Sequence, residues 1–262
     1  KKPVQTAAAA GAAFEAALET ARGADLVIMV LGENADMAGE AASRGSLDLP
    51  GRQEALLKAV VALGKPVVLV LLNGRPLSIA WAAEHVPAIL EAWEPGTEGG
   101  NAVADVLFGD ANPGGKLPVS FPRSGSHAPL YYARTLTHAP ESSPMYRSRY
   151  WDGPVTPLYP FGFGLSYTTF AITNLRVSAP QVKVGQAVTV SADVTNTGPV
   201  AGDEVAQLYI HQRWGSDSRP QRELKGFARV TLQAGETKTV TFRLGPEELR
   251  YWSTNAKAWV QE

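Results

Sequence analysis

Three acidic residues lie within one short polar stretch of this chain. Glu33, Asp36 and Glu40 precede Arg44 and follow directly on the apolar run at residues 26–31. Carboxyl groups held close together and away from bulk water disfavour mutual ionisation, so one of them can keep its proton near neutral pH and act as a general acid. The same composition is typical of a solvated, negatively charged loop with no chemical role. The stretch is therefore a candidate catalytic loop, with that plain alternative beside it.

The apolar run before these acids predicts a strand that is buried on both faces. Polar loops at the carboxyl ends of such strands are where α/β proteins do chemistry. Helix and strand patterns alternate up to about residue 122, which is typical of βαβ units. The predicted helices are 7–22, 52–63, 77–84 and 99–108, and the predicted strands are 26–31, 67–72, 88–93 and 117–121. We therefore expect an open, mostly parallel sheet with flanking helices, an α/β sandwich, over residues 1–122.

Residues 123–167 have no steady period and are rich in Pro, Ser, Tyr and Arg, which predicts a long connector. Its aromatic residues are too numerous for a solvated linker, because each exposed ring forgoes roughly 1.5–3 kcal/mol of burial. We expect the connector to pack against the α/β domain or against a part of the protein outside this chain. Tyr150 and Trp151 could also contact a bound ligand.

Residues 168–262 alternate apolar and polar side chains in short segments separated by turns, which predicts an all-β, immunoglobulin-like sandwich. The predicted strands are 172–177, 187–195, 204–211, 224–232 and 238–244. Residues 258–262 have the pattern of a strand without a closing partner, and the first helix has no strand before it. We therefore expect both domains to be truncated, the second without its last strand. A stabilising or spacing role is the expected one for this domain.

Composition excludes several classes of function. A net charge of −1 without a cluster of Lys or Arg argues against nucleic acid as a partner, and no apolar stretch is long enough to cross a bilayer. The absence of cysteine excludes disulfides and thiol chemistry. We expect no metal and no cofactor, because the histidines lack ligand spacing and no phosphate-binding glycine motif or serine-nucleophile motif is complete. The four histidines are His85, His127, His138 and His211.

Five motifs, taken in order along the chain, carry a resemblance to a known family. The first is Glu-Ala-Ala-Ser-Arg at residues 40–44, followed by Leu-Asp-Leu-Pro at 47–50 and Gln53. The others lie at residues 65–76, 93–109, 112–122 and 159–170. Together they resemble glycoside hydrolase family three, in its bacterial periplasmic β-glucosidase type. The resemblance covers nearly the whole chain and implies that the all-β domain is fibronectin type III-like.

The resemblance implies a retaining, exo-acting β-glycosidase, most closely a β-glucosidase. In that family the nucleophile lies in a (β/α)₈ barrel that precedes this region, while the α/β domain supplies the general acid/base. Carried over by motif, the acid/base falls on Glu40, with Glu33 as its competitor. Arg44 completes the motif and, with Tyr150 and Trp151, is expected to bind the substrate. Asp36 and Asp48 are then capping or structural groups. This chain alone is expected to be inactive.

The resemblance also implies partners and a location. The substrate would be an oligosaccharide or an aryl β-glycoside, and the missing N-terminal barrel would be a partner within the same protein. A homodimer is open, and a periplasmic or secreted location is implied. Two other readings stand beside the glycosidase: a non-catalytic carbohydrate-binding or scaffold protein built from the same domains, and a different hydrolase on an α/β sheet. The lack of a serine-nucleophile motif argues against the last.

Overall fold

The computed structural model describes residues 7–135 and 150–262. The chain divides into two compact units. The first unit is drawn from Lys1–Asp105, Phe121–Leu130 and Pro157–Tyr159, and the second from Val106–Ser120, Tyr131–Thr156 and Pro160–Glu262.

The first unit is built around a three-stranded parallel sheet in the order β1-β2-β3. Its elements are α1 (Ala7–Arg22), β1 (Val27–Gly32), α2 (Ala35–Ala38), α3 (Gln53–Val61), β2 (Val67–Leu72), α4 (Ala80–His85) and β3 (Ala88–Glu91), and α5 (Gly99–Phe108) begins within it. Residues 67–72 form the central strand because almost every side chain in the run Val-Val-Leu-Val-Leu-Leu can be buried from both faces. The expected α/β class of this part is confirmed.

Helix α3 covers one face of the sheet. It contacts both α1 and β1, and it buries Leu57 and Val60, which are three residues apart and so lie on one side of the helix. On strand β1 the burial alternates, because Met29 is buried while Ile28 and Val30 are exposed, so the expectation that this strand is buried on both faces is wrong. At β1 the sheet is therefore covered on one face only. The polar stretch that follows Gly32 begins at the carboxyl edge of the sheet.

The second unit contains antiparallel sheets. Strands β4 (Phe170–Val177), β5 (Val188–Asn196) and β8 (Thr237–Leu244) form one sheet, and β6 (Gly202–Ile210) pairs with β7 (Glu223–Leu232) in another. After α6 (Pro246–Leu249), the short strands β9 (Tyr251–Ser253) and β10 (Ala258–Val260) pair with each other. Inward-facing residues from both larger sheets form one core of Ala192, Val194, Ala206, Leu232 and Val240. This confirms the expected all-β class.

Two further details differ from the sequence-based expectation. The strand expected at residues 117–121 is wrong, since only Phe121 forms a bridge, with Tyr159. Pro118 and Pro122 explain the difference, because proline cannot donate to a ladder of hydrogen bonds. The strand expected near residue 258 does have a partner, because β10 pairs with β9 across the intervening turn.

Some of the connector aromatics that the structure describes pack against other rings of their own unit. In the first unit, Tyr159 packs edge-on against Phe121. In the second unit, Tyr132 stacks on Phe161 with ring centroids 4.3 Å apart and meets Tyr209 of β6 edge-on. Ring burial therefore orders at least these parts of the connector. Within residues 7–135 and 150–262, no helix has both the length and the apolar character needed to cross a membrane.

Candidate active site at the edge of the parallel sheet

The carboxyl ends of the three parallel strands meet at one edge of the sheet. Glu33 follows β1, Asn73 follows β2 and Trp93 lies just beyond β3. Backbone hydrogen bonds keep the three exits together, because Glu33 N donates to Leu72 O at 2.8 Å and Asn73 N donates to Trp93 O at 3.2 Å. This edge is where open α/β sheets place ligands and catalytic groups.

The exit from β1 requires a glycine. Gly32 has φ +132°, and a Cβ there would lie 2.0 Å from the carbonyl oxygen of Leu72. Gln53, at the start of α3, holds the same residue from its other side: its Oε1 accepts from Gly32 N at 2.7 Å, and its Nε2 donates to Gly32 O at 2.8 Å. The backbone leading to Glu33 is therefore fixed by close packing and by a two-way amide contact.

Glu33 is the buried centre of an ion-pair network. Its side chain is 0% exposed, its Oε1 accepts from Arg44 Nη1 at 2.9 Å, and its Oε2 accepts from Arg75 Nε at 3.0 Å. Both guanidinium groups are themselves largely buried. Each carboxylate oxygen has a guanidinium partner and the side chain is fully buried, so in this chain Glu33 does not present its carboxylate to a ligand.

The two arginines also close the acidic loop. Arg44 Nη2 donates to the carbonyl of Asp48 at 2.7 Å, and Arg75 Nη2 donates to the carbonyl of Met37 at 2.5 Å. Glu33 therefore binds side chains that in turn hold both halves of the loop at residues 33–48. Arg44 is engaged with protein groups on two sides, which fits a positioning role in this loop.

Asp36 and Asp48, two other acids of the loop, lie next to short-range hydrogen bonds. Asn34 caps the short helix α2, and its side chain accepts from Asp36 N. Asp48 accepts from Ser46 Oγ at 2.9 Å. The contact of Asp48 fits a structural role in the loop, whereas at Asp36 the capping side chain is that of Asn34, and the role of the Asp36 side chain stays a prediction.

Glu40 stands on an exposed turn directly after α2. Gly39 N donates to Ala35 O at 2.9 Å, and Ala42 N donates to Gly39 O at 3.0 Å, so the turn is hydrogen-bonded on both sides of Glu40. A Cβ at residue 39 would lie 2.6 Å from Ala35 O, and Ala41 adopts φ +56°. The turn leaves Glu40 exposed to solvent, while Arg44 and Arg75 hold the loop backbone at Asp48 and Met37 on either side of it.

A second buried carboxyl group, which the sequence did not single out, lies at the end of β3. Glu91 Oε1 accepts from Trp93 N at 3.0 Å, while its Oε2 is buried and has no hydrogen-bond partner among the described residues. Asn73 Nδ2 donates to Arg75 O at 2.9 Å, and its Oδ1 likewise lacks a partner there. Burial raises the pKa of Glu91 to about 7, against the opposing effect of its hydrogen bond with the backbone N–H of Trp93.

The raised pKa of Glu91 predicts a dependence of stability on pH. Because its pKa rises from 4.5 in the unfolded chain to about 7 in the folded protein, the folded state holds the extra proton between these values. Stability should therefore fall as pH rises from about 4.5 to about 7, by about 3 kcal/mol in all. Glu91→Gln, which is neutral at every pH, should remove this part of the slope. Urea unfolding of variant and parent across this range measures it.

The exposed Glu84 supplies the matched control, because Glu84→Gln changes the same functional group outside the buried edge. Its pH slope should equal that of the parent. A Glu91→Gln variant with an unchanged slope would contradict the assignment of the proton to Glu91.

The aromatic candidates belong to the second unit. Tyr150 is 39% exposed and Trp151 is 94% exposed, so both rings are accessible to a ligand. Their neighbours at residues 136–149 lie outside the described residues, as does His138. In the part of the chain that the structure describes, no cluster of three or more His, Cys, Asp or Glu residues could hold a metal ion.

Two successive parts of the chain match known protein families. The family described as Glycosyl hydrolase family 3 C-terminal domain matches residues 2–167, and the family described as Fibronectin type III-like domain matches residues 204–262. The periplasmic beta-glucosidase of Salmonella typhimurium is 48% identical over 94% of this chain, and a beta-xylosidase of Formosa agariphila is 45% identical over 95%.

A solved structure extends this similarity to three dimensions. The beta-glucosidase from Listeria innocua in complex with glucose has a TM-score of 0.89 and 41% sequence identity, over 95% of this chain and 35% of that chain. The matches to the Salmonella and Formosa relatives cover 32% and 34% of their lengths. This chain therefore spans about a third of the length of the relatives it matches.

Proposed function

Because this chain belongs to glycoside hydrolase family three, we propose that it is the C-terminal part of a retaining, exo-acting β-glycosidase. The activity closest to its relatives is that of a β-glucosidase, which releases terminal non-reducing β-linked sugars from oligosaccharides or aryl β-glycosides. One observation carries the proposal for this chain's own part. An exposed glutamate, Glu40, stands on a hydrogen-bonded turn at the carboxyl edge of the parallel sheet.

The proposed reaction divides its two carboxyl groups between two parts of the protein. A carboxylate on the preceding barrel attacks the anomeric carbon and forms a glycosyl-enzyme intermediate. Glu40 protonates the leaving oxygen in that step and then, as a base, takes a proton from the water that hydrolyses the intermediate. The bond to the leaving group breaks as the bond to the nucleophile forms, and the second step restores both groups.

The contacts of the loop support Glu40 over Glu33 for this role. A general acid must reach the leaving oxygen, and both oxygens of Glu33 are occupied by guanidinium groups within a buried network. Glu40 is exposed on the same loop, and the arginines bound to Glu33 hold the backbone on both sides of it. Glu33 is then the residue that positions the loop, and Glu40 is the group that reaches the substrate.

Other features of the whole protein follow as parts of the proposal. Arg44 shapes the site through Glu33 and Asp48, while Tyr150 and Trp151 are the exposed rings available to a sugar. The name of the Salmonella relative supports a periplasmic or secreted location. A homodimer remains part of the proposal, and the domain bounds are proposed at residues 1–122, 123–167 and 168–262.

The proposal is tested by supplying the barrel. This chain alone should not hydrolyse p-nitrophenyl β-glucoside, whereas the same chain in its barrel-containing protein should, and proton NMR should detect the β-anomer of the sugar first. The β-anomer comes first because two inversions retain the configuration. Sugar binding without turnover, even with the barrel present, would instead support the non-catalytic alternative.

A further inference from the structure

The loop between β6 and β7 lines an open cavity in the second unit. The cavity has a volume of about 250 Å³ and is lined by residues 212–215 and 217–219. Sites for drug-sized ligands occupy about 300–1,000 Å³, so this cavity is of a size for one small ring. Its lining is mainly polar, with one large aromatic side chain, Trp214.

Several contacts hold this loop in place. Ser216 donates from its backbone N and from its Oγ to the carboxylate of Glu262, at 2.8 and 2.6 Å. The guanidinium of Arg219 stacks over the ring of Tyr251, 4.2 Å from its centroid, and donates to Glu223 at 2.6 Å. The cavity is therefore organised before any ligand arrives, which lowers the entropic cost of binding.

Two lining residues carry buried polar atoms without a partner among the described residues. Asp217 Oδ2 is a hydrogen-bond acceptor, and Arg219 Nε is a donor. Buried polar atoms in folded proteins are nearly always hydrogen-bonded, so this pair marks a place that a polar molecule completes. A hydroxyl group can donate to an acceptor such as the first atom or accept from a donor such as the second, so a compound with several hydroxyl groups offers partners for both.

Trp214, another residue of the lining, has an exposed aromatic ring. Trp214 is 86% exposed, while Gln212 Nε2 donates to its carbonyl at 3.1 Å and fixes its backbone. An indole offers a large flat apolar surface at low conformational cost. A sugar ring presents apolar C–H groups on its faces and hydroxyl groups around its edge, and so can contact the ring and the polar atoms together.

The charges of the lining favour a neutral ligand. The carboxylate of Asp217 disfavours a phosphate or another anion, and the guanidinium groups of Arg213 and Arg219 disfavour a cation. Arg219 is paired with Glu223, which leaves one positive and one negative side chain on the lining. A neutral compound with several hydroxyl groups is repelled neither by the carboxylate nor by the guanidinium groups.

We propose that this cavity is a binding site for one sugar ring of a neutral saccharide, with Trp214 against the face of the ring and Asp217 and Arg219 bound to its hydroxyl groups. The site would bind sugar whether or not Glu40 is the acid/base. It gives the second domain a ligand-binding role in place of the purely stabilising or spacing role expected from the sequence.

The test titrates cellobiose and laminaribiose into the full 262-residue chain and follows the indole N–H signal of Trp214 by NMR. Saturable binding is expected in the millimolar range. Trp214→Ala, followed by calorimetry, should weaken it at least tenfold, and Asp217→Asn should weaken it severalfold. Phe227→Ala is the matched control, because it removes another exposed aromatic ring of the same unit outside the cavity lining and should leave binding unchanged.

Three results would overturn the proposal. The first is the absence of saturable binding of either disaccharide at tens of millimolar. The second is binding that Trp214→Ala and Phe227→Ala weaken equally, which would place the sugar elsewhere. The third is a response of the Trp214 signal to inorganic phosphate in place of the sugars, which would identify an anion site. Trp214 is exposed, so its removal should not prevent folding.

Discussion

Replacing Glu40 with alanine in the barrel-containing protein is expected to lower kcat/KM for aryl β-glucosides with poor leaving groups by about 10²–10⁴-fold, the usual contribution of a general acid. Substrates whose phenolate leaves readily need little protonation, so their kcat/KM should fall far less. The measurement is the dependence of log kcat/KM on the pKa of the leaving phenol, in variant and parent. A steeper dependence in the variant identifies loss of the proton donor.

Azide gives this prediction a second readout. It attacks the glycosyl-enzyme intermediate without needing a general base, so it should restore turnover of an activated glucoside by Glu40→Ala and yield the β-glucosyl azide. Asp36→Asn, in the same loop, should leave both readouts unchanged. If Glu33→Ala shows the effect and Glu40→Ala does not, Glu33 is the acid/base. If neither variant shows it, the loop does not supply the acid.

The second large effect is expected on stability. Glu33→Ala should lower the free energy of unfolding by about 3–5 kcal/mol, because it leaves two largely buried guanidinium groups without their counter-ion. Glu33 is 0% exposed and binds Arg44 and Arg75 at 2.9 and 3.0 Å. Urea unfolding of variant and parent, followed by tryptophan fluorescence, measures the difference. The loop at residues 33–48 should also lose order, since both arginines hold its backbone.

An exposed ion pair provides the control for this effect. Glu54→Ala removes the partner of Lys58 on the solvent side of α3 and should change the free energy of unfolding by less than about 1 kcal/mol. Equal effects of the two variants would contradict a buried network at Glu33.

At a temperature where Glu33→Gln remains folded, a positioning role predicts a similar loss of kcat/KM for good and poor leaving groups, with no rescue by azide.

The local order of the α/β part could be predicted from its residues. Helix α1, strand β2 and helix α5 have the bounds expected from hydrophobic periodicity and from the turns that flank them. These signals involve only a few neighbouring residues, so they can be read from the sequence without knowledge of the rest of the fold. The polar loop after β1 could be recognised for the same reason, since a strand, a glycine and a group of acids are adjacent in the chain.

The strand that did not form shows the limit of such local signals. Residues 117–121 alternate like a strand, yet Pro118 and Pro122 interrupt the ladder and only Phe121 is bridged, by Tyr159. The partner of β10 was also not evident from the sequence, because strand β9 has only three residues, too few to show an alternation of apolar and polar side chains. Short elements depend on their neighbours for stability.

The amino-acid sequence was sufficient to establish the fold classes, the candidate loop and the two competing glutamates, because each depends on residues close together in the chain. It could not distinguish the buried glutamate from the exposed one. Arg75, which lies 42 residues from Glu33, reaches it only after β1 and β2 pair. The buried acceptors at Glu91 and Asn73, and the cavity beside Trp214, arise in the same way. Burial and ion pairing depend on which distant side chains meet, and only the packed fold brings those side chains together.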